Sequence, residues 1–556
     1  MTPYHKKTFT MRIKSSFIVF ILLIMAVPSI GQQYNAFEIS KNLEIYADVF
    51  KQLNNNYVDE IKPGEMSKAA IDAMLKTLDP YTVYKSESEI EDFRFMTTGQ
   101  YGGMGALIQQ HGEYVVVSEP YKDSPSDKAG LKAGDLIIEI DGHDTKDLST
   151  EEVSNMLKGQ PGTSFELKIK RYGEEKPLKF DIEREKIQVD DIPYYGVTDE
   201  NIGYITLSSF TQHAASHVRK AFIELKTENN LEGIILDLRG NGGGLLNEAV
   251  DIVNLWVDKD ELIVSTKGRL PEKSKDHHTR MGVIDPDIPL VVLVNGGSAS
   301  ASEITAGAIQ DLDRGVIIGS RTFGKGLVQN IVPVLYNSQI KITVAKYYIP
   351  SGRCIQAIDY SDDGDNGKGR IPDSLMTAFK TKAGRTVLDG GGIIPDIDPD
   401  NGELHDITAS LLSQQLIFDF CTQWYWENPE APEPDKFEVS DEMYAAFEEF
   451  LKQRGFEYKT ESEFILEKLE KASKEDKYHD AIKEELEALH QALAHDKQSD
   501  LYEFRDQISE FIRLELLPRY YYQEGMLKAN LNFDPVVREA VSVIRDKERY
   551  EGILKP

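Results

Sequence analysis

Ser300 and Lys325 are the residues whose types and surroundings could carry out acyl transfer. Ser300 lies in the run Val-Asn-Gly-Gly-Ser-Ala-Ser-Ala-Ser-Glu-Ile (294–304), directly after an apolar stretch at 289–294 that is typical of a buried strand. Apolar residues then recur at helical spacing, so Ser300 is predicted to open a helix. The next backbone N–H, that of Ala301, would lack a partner within the helix and would point outward with the positive end of the helix dipole. It would supply half of an oxyanion hole.

Lys325 is a candidate general base because of the residues around it. It lies between Gly324 and Gly326, which leave its backbone open to close approach, and in a strand it would share one face with Leu327 and Gln329. A lysine acts as a base only when it is neutral, so its pKa must fall from about 10.4 toward 7 through burial or a nearby cation. The apolar strand that follows would bury the amine. Gln329 would orient the amine without charging it, whereas a carboxylate would oppose the neutral form.

Other interpretations of the same motifs compete with acyl transfer. A serine before a helix is most often an N-cap with no chemical role. The run Gly-Ser-Arg-Thr-Phe-Gly-Lys-Gly (319–326) matches a phosphate-binding loop, except that Gly326 stands where a magnesium-binding Ser or Thr is required and a strand follows in place of a helix. The run Gly-Asn-Gly-Gly-Gly (240–244) is similar to the nucleophile loop of trypsin-like enzymes, but Gly242 occupies the hydroxyl position. No Ser-His-Asp triad is evident, because the candidate histidines lie in polar segments: His213, His217, His277 and His278.

Taken together, the motifs resemble those of the C-terminal processing peptidases, also called tail-specific proteases or peptidase family S41. The resemblance covers roughly residues 40–400. It rests on four runs: Ser-Ala-Ser-Ala-Ser-Glu-Ile (298–304), Phe-Gly-Lys-Gly with Gln329, Asp-Leu-Arg-Gly-Asn-Gly-Gly-Gly (237–244) and Pro-Ser-Gly-Arg (350–353).

The resemblance implies a serine endopeptidase with a Ser/Lys dyad. Ser300 would be the nucleophile, Lys325 the base and Gln329 the orienting residue, while Ser298 and Ser302 would have supporting roles. The backbone N–H groups of the oxyanion hole would come from two residues: Ala301 and Gly244. Glycine suits the second position because an amide approaches a tetrahedral oxyanion closely only where no Cβ intervenes.

A second module, upstream, resembles a PDZ domain in the circularly permuted order found in bacterial proteases. It begins with Gly-Gly-Met-Gly-Ala-Leu-Ile (102–108) and continues through apolar strands at 113–117, 136–142 and 165–171 and a helix near 150–158. Such a module binds a C-terminal peptide by strand addition, with backbone amides of a glycine loop holding the terminal carboxylate.

The resemblance places the peptide contacts of this module on two segments. Gly103, Met104 and Gly105 would form the carboxylate loop, and Val153 and Leu157, one helical turn apart, would face the groove. The other interpretation of Val153 and Leu157 is that they fill the core of a small module.

The first 31 residues are typical of a secretory signal. A basic stretch precedes an apolar run of eleven residues from Phe17 to Val27, too short to span a bilayer, and small residues follow at Ser29 and Gly31. The mature protein is predicted to start near Gln32 and to lie outside the inner membrane, in the periplasm. An uncleaved anchor and a start at Met11 are the alternatives.

Composition limits the partners that the chain is expected to have. A formal net charge of −30 argues against nucleic acid and acidic membrane surfaces. No Cys/His cluster has metal-ligand spacing, so we expect no metal and no cofactor. The only two cysteines, Cys354 and Cys421, imply no disulfide framework, although one bridge between them stays open. The expected partners are protein or peptide substrates with free C-termini, with an adaptor protein and the oligomeric state left open.

The expected architecture is a multidomain mixed α and β protein, since a chain of 556 residues is too long for a single hydrophobic core. Its predicted parts are a signal peptide (1–31), a helical N-terminal domain (32–98), a PDZ domain (99–186), a protease core similar to the ClpP/crotonase spiral (187–400) and an acidic helical C-terminal extension (401–556). A non-catalytic PDZ-bearing binding protein on the same fold is the alternative function. The dyad argues against it, because a binding protein has no need of Ser300, Lys325 and Gln329.

Overall fold

The computed structural model describes residues 36–86, 97–358, 360, 371–399, 404–493 and 497–555. They divide into two compact units between Tyr84 and Lys85. The predicted signal peptide lies outside the described residues. No helix in the described ranges combines the length and the apolar character needed to cross a bilayer.

The N-terminal unit is helical, as predicted. Its helices are α1 (36–56) and α2 (Pro63–Lys76), and the short strand β1 (Val83–Lys85) spans the boundary between the units. Helix α2 ends just before the run Leu-Asp-Pro-Tyr-Thr at 78–82, whose proline disfavours helical geometry in the residue before it. The carboxylate of Asp79 there accepts the backbone N–H of Tyr81 and Thr82, both at 2.8 Å, which fixes the turn.

The PDZ-like module is an antiparallel sheet with two short helices. Its strands are β2 (Gln100–Gly103), β3 (Ala106–His111), β4 (Tyr114–Pro120), β5 (Leu136–Ile140), β6 (His143–Asp144), β7 (Ser164–Lys170), β8 (Leu178–Glu183) and β9 (Glu185–Gln188), and its helices are α3 (Pro125–Ala129) and α4 (Thr150–Leu157). The sheet order is β3-β4-β5-β7-β8, with β6 beside β5, while β2 and β9 form a separate pair. Strand β3 is therefore at an edge of the sheet. The predicted strands and helix of the module are confirmed.

The core of the molecule is built on a mostly parallel sheet. Its elements are β10 (Tyr194–Val197), β11 (Ile202–Thr206), α5 (Ala214–Glu228), β12 (Gly233–Asp237), α6 (Leu246–Val253), β13 (Leu262–Gly268), β14 (Lys275–His278), β15 (Leu290–Val294), α7 (Ala301–Asp311), β16 (Val316–Gly319), β17 (Leu327–Pro333), β18 (Gln339–Tyr348), β19 (Ala378–Lys380) and β20 (Thr386–Leu388). The main sheet has the order β10-β11-β12-β15-β16, with β10 antiparallel and the other four strands parallel. Strands β12 and β15 are buried along their whole length, as strands covered on both faces must be. A second sheet pairs β17 with β18, β18 with β13 and β13 with β14.

The C-terminal extension is helical, as predicted. Its helices are α8 (Asp406–Ser413), α9 (Leu416–Glu427), α10 (Asp441–Arg454), α11 (Glu461–Glu475), α12 (Lys483–Leu493), α13 (Lys497–Glu503), α14 (Arg505–Asn530), α15 (Pro535–Arg545) and α16 (Lys547–Leu554). Most of them share one apolar core, in which Phe420, Phe447 and Leu516 are buried. Helix α15 is different: its apolar face packs on residues of the main sheet, including Ile235 and Leu293. The extension therefore covers one face of the sheet that carries the candidate site.

The two cysteines are free thiols. Cys421 is buried in α9, in the core of the helical extension, and Cys354 lies in the segment after β18. The single bridge that the sequence left open does not form.

Candidate active site

A cavity of about 540 Å³ lies where the chain leaves the carboxyl ends of β11, β12 and β15. This is the edge at which parallel sheets with helical crossovers bind ligands. Its lining includes all five residues that the sequence analysis assigned to catalysis: Gly244, Ser300, Ala301, Lys325 and Gln329. No histidine is among the described residues that line it.

Ser300 stands at the predicted junction of strand and helix. Strand β15 ends six residues before it, and Ser300 is the residue that precedes α7. Its backbone has φ 56° and ψ −111°, which is strained for a residue with a Cβ. Such a conformation costs about 1 to 3 kcal/mol and persists only where surrounding contacts hold it. Strain of this kind concentrates at functional sites.

The glycine loop after β12 packs directly against Ser300. A Cβ on Gly243 would lie 2.6 Å from the carbonyl oxygen of Ala299, 2.8 Å from Cβ of Ser300 and 2.9 Å from the nitrogen of Ala301. Gly243 also has φ +100°, so only glycine fits there. The next amide, that of Gly244, and the amide of Ala301 donate to no other described residue, whereas the Gly243 N–H donates to Asn241 Oδ1 at 2.8 Å.

The other serines of the motif join the start of α7 to this loop. Ser298 Oγ donates to the carbonyl oxygen of Leu238 at 2.8 Å, and Ser302 Oγ donates to that of Asn241 at 2.8 Å. Both serines are fully buried. Their hydroxyl groups are thus engaged in structure, in line with the supporting roles expected for them.

Glu303 connects the two halves of the site and was not identified from the sequence. Its Oε2 accepts the backbone N–H of Ser300 at 2.8 Å and of Lys325 at 2.9 Å, while Oε1 accepts the N–H of Gly324 at 2.7 Å and the hydroxyl of Thr322 at 2.6 Å. Burial raises the pKa of Glu303 to about 7, against the effect of these donors. The signal that could have found it is the spacing Ser-x-x-Glu, which is typical of a capping box.

Lys325 lies before the strand in which it was predicted, because β17 begins at Leu327. The face that Lys325 would share with Leu327 and Gln329 in a strand therefore begins only at Leu327, because the N–H groups of residues 324 and 325 donate to Glu303. A strand does follow Lys325, which excludes the phosphate-loop interpretation. Gln329 is in β17, where its Nε2 donates to Thr343 Oγ1 at 3.3 Å.

Tyr347 adds a second connection between Ser300 and Lys325. Its hydroxyl lies 3.1 Å from the carbonyl oxygen of Ser300 and 2.5 Å from that of Lys325. The side chain is 1% exposed. The two candidate catalytic residues are therefore held by Glu303 through their amides and by Tyr347 through their carbonyls.

Arg353, the last residue of the run Pro-Ser-Gly-Arg, binds the carboxyl end of α7. Its Nη2 lies 2.9 Å from Asp311 Oδ1 and donates to Gln310 Oε1 at 2.8 Å. Burial raises the pKa of Asp311 and lowers that of Arg353, so each charge depends on its partner. A cation at the carboxyl end of the helix also complements its dipole.

The residues predicted to bind a peptide are found on the PDZ-like module, apart from the cavity. Gly103 ends β2, Met104 is buried, and the carbonyl oxygen of Gly105 accepts the hydroxyls of two serines, Ser124 and Ser126, at 2.8 and 2.6 Å. Val153 and Leu157 are buried in the apolar core of the module at 0% and 4% exposure. These two side chains therefore fill the core, and the surface that they offer to a groove is small.

The histidine pairs and acidic groups do not form a further centre. His217 lies 2.9 Å from the buried carboxylate of Asp191, but its ring is about half exposed. Within the ranges that the structure describes, no three His, Cys, Asp or Glu side chains are placed to bind a metal ion together.

Three family models match the chain. Residues 201–364 match peptidase family S41, residues 116–171 match the PDZ domain, and residues 407–544 match the C-terminal helical domain of a probable PDZ-protease.

Curated relatives agree with these matches. The carboxy-terminal-processing protease of Bartonella bacilliformis is 37% identical over 326 residues, which is 58% of this chain and 74% of the relative. A probable CtpA-like serine protease of Staphylococcus haemolyticus is 33% identical over 436 residues, 78% of this chain and 82% of the relative. A solved structure described as the photosystem II D1 C-terminal processing protease is 30% identical, with 56% of this chain and 89% of that chain covered and a TM-score of 0.36.

Proposed function

Because this chain belongs to peptidase family S41 and is a serine peptidase of the carboxy-terminal-processing group, we propose that it hydrolyses peptide bonds with a Ser300/Lys325 dyad. One observation carries the proposal. The nucleophile, the base, the orienting residue and both oxyanion donors line the same cavity, although they come from three separate segments of the chain.

The reaction would proceed through an acyl-enzyme. Neutral Lys325 accepts the proton of the Ser300 hydroxyl as Oγ attacks the carbonyl carbon of the substrate. The N–H groups of Gly244 and Ala301 stabilise the oxyanion that forms. Lys325 then returns the proton to the leaving amine. A water molecule, deprotonated by the same lysine, attacks the ester, and the lysine gives that proton to Ser300 Oγ as the bond to the acyl carbon breaks. Gln329 would orient the amine through its carbonyl oxygen.

Substrates would be selected by their C-termini. We assign this role to the PDZ domain, with the amides of Gly103, Met104 and Gly105 at the carboxylate and the edge strand β3 as the strand to which the peptide would add. Val153 and Leu157, which are buried in the core of the module, would support the groove from the core side and would contribute little contact to the peptide. The proposed boundaries are 32–98, 99–186, 187–400 and 401–556, after removal of residues 1–31 on export to the periplasm.

The test compares purified wild-type protein with Ser300→Ala on an unfolded model protein, with the fragments mapped by mass spectrometry. Ser300→Ala should lower turnover by several orders of magnitude while circular dichroism stays unchanged. Ser320→Ala is the matched control, since Ser320 is exposed, and it should keep wild-type turnover. Equal turnover by wild type and Ser300→Ala would refute the dyad. Peptide binding without any turnover in the wild type would favour the binding protein.

A further inference from the structure

The C-terminal extension reaches the glycine loop of the candidate site through one carboxylate, that of Asp534. Asp534 precedes α15, and its Oδ1 accepts the N–H groups of Val536 at 2.8 Å and Val537 at 3.2 Å. Its Oδ2 lies 2.9 Å from Nη1 of Arg239. One side chain therefore caps a helix of the extension and also pairs with the residue that opens the glycine loop.

Arg239 is held on its other side by the end of β12. Its Nε lies 3.0 and 2.9 Å from the two carboxylate oxygens of Asp237, and Nη2 donates to Oδ2 at 2.5 Å. The hydroxyl of Tyr204 also donates to Asp237 Oδ2, at 2.7 Å. Burial alone would lower the pKa of Arg239, but Asp237 and Asp534 together raise it above its ordinary value. The guanidinium is thus a fixed charge between two carboxylates.

The loop that follows Arg239 has few side chains with which to fix its own shape. Four of its five residues, 240–244, are glycines, and glycine loses more conformational freedom on ordering than any other residue. The Gly240 N–H donates to Asn295 Oδ1 at 2.9 Å, and Asn241 provides the only side chain. The loop is held at Asn241 by the hydroxyl of Ser302 and at Gly243 by the N–H of Phe210, and its start is held by Arg239, whose side chain is fixed by Asp237 and Asp534.

We propose that Asp534 is a positioning residue for the peptidase reaction. Through Arg239 it holds the loop so that the Gly244 N–H faces the oxyanion, which makes the helical extension part of the catalytic apparatus. This inference rests on the proposed function, because it assigns Gly244 to the oxyanion hole.

Substitution of Asp534 by asparagine separates the two roles of the carboxylate. Asparagine caps a helix about as well as aspartate, so Asp534→Asn keeps the cap of α15 and removes the charge that faces Arg239. Asp534→Ser is a second substitution of the same kind. Asp546→Asn is the matched control, because Asp546 caps α16 by accepting the N–H of Arg549 at 3.0 Å, whereas the carboxylates that pair with Arg239 are those of Asp237 and Asp534.

The experiment measures kcat and KM of the full chain on a susceptible peptide, together with inhibition by a peptide boronic acid that forms a tetrahedral adduct on serine. Asp534→Asn and Asp534→Ser should lower kcat about ten- to a hundredfold, as expected for a slightly misplaced oxyanion donor. They should weaken inhibition by the boronic acid by a similar factor. KM should stay unchanged, because the substrate in its ground state does not bind to the oxyanion hole. Asp546→Asn should match the wild type in all three.

The possible failures are distinct. No Ser300-dependent turnover in the wild type would refute the proposed function and this inference with it. Ser300-dependent turnover with both Asp534 variants within about twofold of Asp546→Asn would overturn this inference alone. If both variants lose activity only in proportion to the unfolded fraction, with kcat per folded molecule unchanged, then Asp534 is only a cap and the inference is also overturned.

Discussion

The carboxylate of Glu303 accepts the backbone N–H of Lys325 at 2.9 Å, across 22 residues of sequence. The same oxygen accepts the N–H of Ser300 at 2.8 Å. Since the carboxylate is fully buried, these bonds are protected from exchange with water. A single side chain on α7 thus sets the separation between the backbone of Ser300 and the backbone of Lys325.

Glu303→Gln should therefore impair both activity and stability. The amide keeps the shape but turns one acceptor oxygen into an NH2 group that faces N–H donors, so at least one buried donor loses its partner. We expect kcat to fall about a hundredfold through misplacement of the reacting groups, and the free energy of unfolding to fall by about 1 to 3 kcal/mol. Peptide hydrolysis and urea denaturation measure the two effects.

The control for this substitution is Glu152→Gln. Glu152 accepts the backbone N–H of Ser149 at 2.8 Å in the exposed capping box of α4, so it has the same local role without the connection to Lys325. It should keep turnover within about twofold of the wild type. Equal losses of turnover in Glu303→Gln and Glu152→Gln would mean that loss of the helix cap alone explains the effect of Glu303→Gln.

Tyr347→Phe should weaken the second connection between Ser300 and Lys325. The change leaves two carbonyl oxygens without the hydroxyl that now lies 3.1 and 2.5 Å from them, inside the protein. We expect the free energy of unfolding to fall by about 1 to 3 kcal/mol and kcat to fall with it. The neighbouring substitution Tyr348→Phe is the control, since that ring is partly exposed and lies under Lys267. A loss as large in Tyr348→Phe would argue against the connection.

How far the sequence predicts this site depends on the range of the contacts involved. The apolar run and the helical spacing around Ser300 are local, and they correctly place Ser300 between a buried strand and the start of a helix. Glu303 has a local signal, the capping-box spacing, but its bonds to Gly324 and Lys325 exist only after folding. For the same reason, the alternation of residues along 325–329 would place Lys325 on one strand face with Leu327 and Gln329, but β17 begins only at Leu327.

No sequence motif indicates the contacts between residues that are far apart in the chain. Tyr347 reaches Ser300 across 47 residues, and Asp534 comes from the helical extension, whose helices were predicted only by composition. The sequence also left open whether two residues of the PDZ-like module face the groove or the core. Val153 and Leu157 have the spacing of a groove-facing pair and of a core-facing pair, and both proved to be buried in the core.

Protonation of His111 should stabilise the contact between the PDZ-like module and the helical extension. His111 Nε2 lies 2.7 Å from Asp419 Oδ1, and this hydrogen bond raises the pKa of His111 above its ordinary 6.5 against burial and the charge of Arg454. A raised histidine pKa stabilises the fold fully below pH about 6.5, and the contribution is lost as the pH rises through the raised value. For this partly exposed pair we expect at most about 1 kcal/mol.

Thermal unfolding of wild type and His111→Gln between pH 5 and pH 8 checks this dependence. The difference in melting temperature should be largest at the acid end and shrink toward pH 8. Asp419→Asn should abolish the same pH dependence, because it removes the partner of the imidazolium. A difference that does not vary with pH would show that His111 contributes by packing against Phe418.

Amidation of the substrate C-terminus should slow cleavage if the PDZ domain recognises the terminal carboxylate. The carbonyl of Gly105 is already fixed by Ser124 and Ser126, so the loop 103–105 is ordered before a peptide arrives. An amide cap removes the charge that the loop N–H groups would stabilise. Losing one charge-assisted hydrogen bond amounts to about 1.5 to 3 kcal/mol, which predicts roughly a ten- to hundredfold lower kcat/KM for the amidated peptide.

A binding measurement is needed to show whether the amidated peptide is recognised less well or is only cleaved more slowly once it is bound. Ser300→Ala, measured by fluorescence anisotropy, should bind the free-acid peptide more tightly than its amidated twin, because the substitution lies in the cavity and leaves the PDZ loop intact. A discrimination of the same size in kcat/KM and in binding would assign it to recognition of the tail. If both peptides are cleaved and bound alike, tail recognition by Gly103, Met104 and Gly105 is wrong, and the PDZ domain would instead act as a structural gate over the Ser300 site.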